Sequence, residues 1–91
     1  MERLEELRRE IDRIDDEILK WVAERLDRVM AVGDYKREHG LGVYDPNRER
    51  EILDRLAARA PGTLDGQAVR RIFERLIDES RHAEQRRVRG E

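Results

Sequence analysis

Seven charged or hydroxyl side chains stand at or beside helical positions where the surrounding repeat places apolar residues. They are Arg8, Arg25, Lys36, Arg48, Glu49, Ser80 and Glu84. A buried cation is costly unless an anion pairs with it, and here four inward cations meet only two inward carboxylates. Because the planar fork of arginine suits carboxylates and lysine adds a compact charge, a small dianion would neutralise the excess.

The same side chains could instead form ion pairs within the core, for instance Arg25 with Glu84 and Arg48 with Glu49. Spacing alone leaves both interpretations open. Other reactive groups are scarce, since the chain has no cysteine and hence no disulfide, zinc ribbon or thiol nucleophile. It also has no zinc-protease motif, phosphate-binding loop, dinucleotide-binding motif or serine-protease arrangement.

Helical periodicity supplies the elements that must position these side chains. Apolar residues recur every three or four positions at Leu4, Leu7, Ile11, Ile14, Ile18, Val22, Val29 and Val32. This spacing is typical of one long amphipathic helix. Asp45 followed by Pro46 suits the start of a second helix, and Asp65 can cap a third. We predict an all-α fold with helices at about residues 3–38, 46–59 and 65–88.

The length of the first helix bears on the assembly. A 36-residue helix is about 54 Å long, whereas a compact domain of this size is roughly 30 Å across. The two shorter helices therefore cannot cover its whole apolar stripe. We predict that residues 1–91 form a single domain in an intertwined two-fold homodimer.

Composition narrows the class of protein further. The 20 Lys and Arg residues nearly balance 22 Asp and Glu residues, for a formal net charge of −2, which argues against a nucleic-acid partner. No apolar run reaches 18 residues, and the first ten residues lack the apolar segment of a signal peptide. We therefore expect a cytoplasmic protein with no membrane partner.

The chain resembles the all-helical class of chorismate mutases over about residues 4–85. The segments that carry the resemblance are 7–12 (LRREID), 23–25 (AER), 32–36 (VGDYK), 45–51 (DPNRERE) and 77–80 (IDES). The resemblance implies a three-helix protomer in an intertwined dimer. It also implies the Claisen rearrangement of chorismate to prephenate in phenylalanine and tyrosine biosynthesis, a reaction that needs no metal or other cofactor.

The resemblance further implies a role for each inward side chain. Arg25 and Arg48 would hold the two carboxylates of the substrate, together with an Arg8 that reaches in from the other subunit. Lys36 would donate a hydrogen bond to the ether oxygen. Glu49, with the backbone near Asp45, would orient the ring hydroxyl. Ser80 would lie beside one of the substrate carboxylates.

Glu84 departs from the pattern of many bacterial members, which have a glutamine there as a second donor to the ether oxygen. Some members, the fungal enzymes among them, have glutamate. An ionised Glu84 would repel the charge that develops on the ether oxygen, so it must be protonated to help. We therefore expect activity to decline as the pH rises, and Glu84→Gln to flatten the profile.

Two alternatives remain at this point. Isochorismate–pyruvate lyase has the same fold and a similar cationic pocket, and its substrate is also a dianion with an enolpyruvyl ether. A non-catalytic regulatory or dimerisation module of a shikimate-pathway complex belongs to a different class. Because members of the family associate with other enzymes of that pathway, such an enzyme is also an expected partner of a catalytic chain.

Overall fold

A computed structural model describes residues 2–90 as three α-helices; Met1 and Glu91, at the ends of the predicted domain, lie outside the described residues. The helices are α1 (Glu2–Glu38), α2 (Pro46–Ala57) and α3 (Gly66–Val88). Residues 2–90 contain no strand. The all-α class, with one long and two shorter helices, is thereby confirmed.

The second helix ends at Ala57, before the expected end near residue 59. Its last turn tightens, because the amides of Arg59 and Ala60 bond to carbonyl groups three residues back, at 3.0 and 3.3 Å. Proline disfavours a helical conformation in the residue that precedes it, and Pro61 follows directly. The apolar pattern does not register this boundary effect.

Aspartates fix the starts of α2 and α3. The Asp45 carboxylate accepts a hydrogen bond from the Arg48 amide at 3.1 Å, and that of Asp65 accepts one from the Ala68 amide at 2.8 Å. Both are N-caps that satisfy an amide without a partner inside the helix. The first cap also sets the start of α2, and with it the direction of the residues in its first turn.

Helix α3 is the centre of the protomer, because it packs against both α1 and α2. Its buried side chains are Val69, Ile77, Ala83 and Glu84. Ion pairs join it to its neighbours on the outside, with Arg87 bound to Asp34 of α1 and Arg70 bound to Asp54 of α2. The fold therefore holds the second half of α1 and the whole of α2 against one helix.

The first half of α1 extends beyond this core. The Cα radius of gyration is 16.6 Å, against about 12 Å for a compact chain of this length. The exposed apolar side chains in this first half of α1 are Leu4, Leu7, Ile11, Ile14, Ile18, Leu19 and Trp21. The protomer thus leaves the stripe uncovered, as the length argument requires, and the intertwined dimer stays a prediction. No helix in the described part of the chain is long and apolar enough to cross a membrane.

Candidate active site

A pocket of about 210 Å³ opens between the second half of α1, the start of α2 and the second half of α3. Its lining residues are Arg25, Val29, Val32, Lys36, Val43, Asp45, Arg48, Glu49, Ile52, Ile77, Ser80, Arg81 and Glu84. Seven of the eight predicted site residues are in this set. Residues from three separate segments of the sequence therefore meet in one cavity, while their individual roles remain predictions.

Arg8 is the predicted site residue that does not line this pocket. It is exposed on α1, 17 residues before Arg25, which corresponds to about 26 Å along the helix axis. A straight helix cannot bring both side chains into one cavity. Within a single protomer Arg8 is therefore separate from the site, and its predicted place in the pocket of a second subunit stays a prediction.

Arg25 is held in place by Ser80. Its Nη1 donates a hydrogen bond to the Ser80 hydroxyl at 2.8 Å, and that hydroxyl donates to the carbonyl oxygen of Leu76 at 2.7 Å. Burial, and then the nearby charge of Arg48, lower the pKa of Arg25. The two guanidinium groups are thus close enough to repel each other, which favours an anion between them.

Lys36 lies between α3 and the loop that follows α1. Its Nζ donates to the carbonyl oxygen of Val43 at 3.0 Å and lies 3.2 Å from Oε1 of Glu84. The side chains of Lys36 and Glu84 are only 18% and 10% exposed. The suggested core pair of Arg25 with Glu84 was therefore wrong, because Glu84 points along α1 to Lys36 while Arg25 bonds to Ser80.

Gly33 permits this close approach of α1 and α3. A Cβ atom at this position would lie 3.1 Å from Cγ of Glu84 and 3.7 Å from its carbonyl oxygen. Any larger residue would press on the one glutamate whose carboxylate faces Lys36. The absence of a side chain at Gly33 therefore sets the position of Glu84 in the pocket.

The suggested pair of Arg48 with Glu49 was also wrong. Nη1 of Arg48 bonds to Glu51 at 2.8 Å, whereas Oε2 of Glu49 lies 3.2 Å from Nε of Arg81. Neighbouring residues on a helix point about 100° apart, and residues three apart lie on one face. The i,i+3 geometry accordingly favours Glu51 as the partner of Arg48 and leaves Glu49 facing α3.

Arg81 also lines the pocket, although it was not among the predicted site residues. Arg81 stands four residues after Ile77 and three before Glu84, so it lies on the same face of α3 as these two buried residues. Its neighbour Ser80 was selected by the same projection. The apolar face of an amphipathic helix is wide enough to include both positions 80 and 81, and both residues line the pocket.

The pocket therefore contains four cationic and three carboxylate side chains, one positive charge in excess. Two buried side-chain atoms in residues 2–90 have no hydrogen-bond partner, Nε of Arg81 and Oε1 of Glu84, although each lies at ion-pair distance from an opposite charge. An unsatisfied buried polar group costs about 1–3 kcal/mol. Charge and hydrogen-bonding capacity both suit a small anionic ligand that also carries polar oxygens.

Comparison with known proteins identifies relatives of this arrangement. The family model described as chorismate mutase type II matches residues 7–85. The structure of chorismate mutase (form II) from Thermus thermophilus is 38% identical, with a TM-score of 0.90 over 92% of this chain and 96% of that chain. Chorismate mutase from Helicobacter pylori in complex with prephenate is 30% identical, with a TM-score of 0.89 over 98% and 97%.

Curated relatives include both single and fused proteins. A chorismate mutase from Methanocaldococcus jannaschii is 43% identical over 56 residues, 62% of this chain and 57% of the relative. A bifunctional chorismate mutase/prephenate dehydratase from Aquifex aeolicus is 46% identical over 56 residues, 62% of this chain and 16% of the relative. The chain thus spans less than two thirds of the length of these relatives.

Proposed function

Because this chain belongs to the chorismate mutase type II family, we propose that it rearranges chorismate to prephenate. The observation that carries the proposal is the convergence of Arg25, Lys36 and Arg48 on one pocket. A pericyclic rearrangement needs no nucleophile; the protein must hold a flexible dianion in its compact conformer and stabilise the charge that grows on the ether oxygen. Positioning and fixed donors supply both.

Arg25 and Arg48 bind the two carboxylates in this proposal. The bond to Ser80 fixes Arg25 before substrate arrives, so little side-chain freedom is lost on binding. An anion placed between the two guanidinium groups offsets both the burial and the repulsion from Arg48 that lower the pKa of Arg25. Arg48 is shared with Glu51 at the exposed edge of the pocket and turns inward when a carboxylate competes for it.

Lys36 acts on the ether oxygen. An ammonium group has three donors; one is committed to Val43 and one is directed toward Glu84. The third is available to the oxygen on which negative charge develops. Glu84 would be a second donor on the same side only in its protonated form. An acceleration of about a million-fold requires roughly 8 kcal/mol of preferential transition-state stabilisation. We attribute this stabilisation to several such donors in a half-buried pocket.

Glu49 accepts the hydrogen bond of the ring hydroxyl, with the backbone near Asp45 beside it. The carboxylate of Asp45 is already used as the cap of α2, which supports a role for its backbone rather than its side chain. Glu49 lies in the same first helical turn. The cap therefore fixes both groups that would contact the hydroxyl.

The active form is an intertwined homodimer in which Arg8 of one protomer completes the pocket of the other. The exposed apolar stripe of α1 supports this assembly, because a second copy would cover it. Charge supports it too, because a second protomer's Arg8 adds a cation to a pocket that already contains more cationic than carboxylate side chains and would bind a dianion.

The cellular context belongs to the same proposal. Relatives named as bifunctional chorismate mutase/prephenate dehydratases join a second activity in one chain, which supports a partner among the enzymes of the same pathway. A cytoplasmic location follows from the biosynthetic role and rests on it.

The test is to give the purified protein chorismate and isochorismate in separate reactions and to identify the products by mass. We expect prephenate from chorismate, recognised also by its acid conversion to phenylpyruvate. Salicylate and pyruvate from isochorismate, without prephenate from chorismate, would instead assign the lyase. A folded protein that converts neither would exclude both activities.

A further inference from the structure

Arg81 lies in the pocket wall between two carboxylates that belong to different helices. Its Nε is 3.2 Å from Oε2 of Glu49 on α2, and its Nη2 donates to Oδ1 of Asp78, one turn earlier on α3, at 2.5 Å. We propose that Arg81 is a positioning residue that holds Glu49 for recognition of the substrate's ring hydroxyl. This inference rests on the proposed function and deepens it.

The contacts of Arg81 leave its guanidinium group little freedom. Asp78 anchors one edge, and the ring of Tyr44, from the loop before α2, covers the group with a centroid 5.7 Å away. The side chains of Arg81 and Glu49 are 27% and 26% exposed, so water screens their attraction only in part. A fixed cation on α3 thus determines where a carboxylate on α2 stands.

The ion pair is close but not fully aligned. The Nε hydrogen is buried and makes no hydrogen bond, although the distance to Glu49 is suitable. A small rotation of the Glu49 carboxylate would complete this bond with one oxygen and leave the other oxygen to accept from a ligand hydroxyl. The unsatisfied donor therefore supports a Glu49 carboxylate that Arg81 can hold through one oxygen while the other oxygen accepts from the substrate hydroxyl.

Arg81 also prevents competition inside the pocket. Glu49 and Arg25 both line the same cavity. Without Arg81, the Glu49 carboxylate would be free to turn toward Arg25 and compete with a substrate carboxylate for that cation. With Arg81 present, the charge of Glu49 is balanced locally. A carboxylate oxygen of Glu49 can then distinguish a substrate with the ring hydroxyl at the correct carbon from one in which the hydroxyl is missing or moved.

The experiment compares two substrates in one preparation: chorismate, and the analogue in which hydrogen replaces the ring hydroxyl. We expect Arg81→Met to lower kcat/KM for chorismate by about tenfold to a hundredfold, because a displaced contact costs that much, and to change the value for the analogue less than about threefold. Equal losses for both substrates would overturn the positioning role. Loss of folded protein lowers both values together and cannot imitate the expected difference.

Matched variants complete the design. Arg75→Met removes another arginine of α3, one that pairs with Glu79 on the exposed face, and should leave the ratio of the two kcat/KM values unchanged. Arg81→Gln, with a shorter reach, should shift the ratio in the same direction as Arg81→Met if the latter is poorly folded. A ratio unchanged in both Arg81 variants would overturn the inference while the mutase activity stands. A wild-type protein inactive on chorismate would overturn the proposed function and the inference with it.

Discussion

The ammonium group of Lys36 and the carboxylate of Glu84 lie 3.2 Å apart in a part of the pocket where both side chains are nearly buried. In the free protein the cation proposed to act on the ether oxygen is therefore directed toward a neighbouring carboxylate. An ionised Glu84 offsets part of the charge that Lys36 presents to the substrate oxygen, while the third ammonium donor stays available. A neutral donor at position 84 would remove this opposing charge and supply a further hydrogen bond.

Replacement of Glu84 tests this opposition. An ionised carboxylate at this position repels the oxyanion that develops on the ether oxygen. Glu84→Gln keeps the shape and supplies a neutral donor, so we expect its kcat to exceed that of the wild type at neutral pH. Steady-state rates with chorismate give the comparison, and a Glu84→Gln variant slower than the wild type would contradict the expectation.

Gly33 offers a second test, of the packing that places Glu84. An alanine Cβ would stand 3.1 Å from Cγ of Glu84 and 3.7 Å from its carbonyl oxygen, so we expect Gly33→Ala to lower kcat about tenfold or more, because a shift of α3 away from α1 displaces the groups that line the pocket between them. Alanine also favours a helix over glycine by up to about 1 kcal/mol. This gain offsets part of the loss of folding stability that the close contact causes. Gly42→Ala, where a Cβ meets nothing within 4 Å, is the control. Equal kcat values for the two variants would contradict the role of Gly33.

Acid should weaken the junction of α1 with α3. Hydrogen bonds from Arg87, followed by the charges of Arg87 and Arg37, lower the pKa of Asp34 despite some desolvation. A group with a lowered folded-state pKa stabilises the fold above its unfolded value, near about 3.9, and this contribution is lost as the pH falls through the folded value. We expect the melting temperature of the wild type to exceed that of Asp34→Asn at neutral pH, and the difference to shrink as the pH falls through the folded-state pKa of Asp34.

A control for net charge is Asp27→Asn, which removes an exposed carboxylate two turns earlier on α1. Thermal unfolding of all three proteins from about pH 2 to about pH 7 gives the comparison. A difference between the wild type and Asp34→Asn that persists unchanged at the lowest pH would exclude the Asp34–Arg87 pair as its cause.

Mixed dimers test whether Arg8 acts across subunits. We expect Arg8→Ala and Arg25→Ala to be inactive separately. When the two are unfolded and refolded together in equal amounts, random pairing should restore about a quarter of wild-type activity, because half of the dimers then contain one intact site. Activity that stays at the level of the separate variants would show that each site uses both arginines of its own chain or neither.

The sequence predicted the fold class and the set of pocket residues because both follow from helical spacing. A polar residue in an apolar stripe, such as Ser80 or Glu84, must face whatever the stripe faces. Asp45 and Pro46 marked the start of α2 for a similar reason, since capping is local chemistry. These predictions need no knowledge of how the helices approach one another.

The pairing of charges was beyond the sequence. Whether Glu84 meets Arg25 or Lys36 depends on the offset of α3 along α1, which the close contact at Gly33 determines. Arg81 was not predicted because an arginine at the edge of an apolar stripe usually extends its charge to solvent, and only the position of Glu49 on α2 draws it into the pocket wall. The distance of Arg8 from the pocket of its own protomer follows from the length of α1. Whether Arg8 reaches the pocket of a second protomer depends on how two chains assemble.

The most direct test of the mutase assignment compares the two lysines of the chain, Lys36 in the pocket and Lys20 near the exposed Trp21. We would measure kcat for conversion of chorismate to prephenate in the wild type, Lys36→Met and Lys20→Met. The expected result is prephenate formation by the wild type, a loss of about 10²–10³ in kcat for Lys36→Met, and a change below about twofold for Lys20→Met. A folded wild type that forms no prephenate, or a Lys36→Met variant as active as the wild type, would contradict the account.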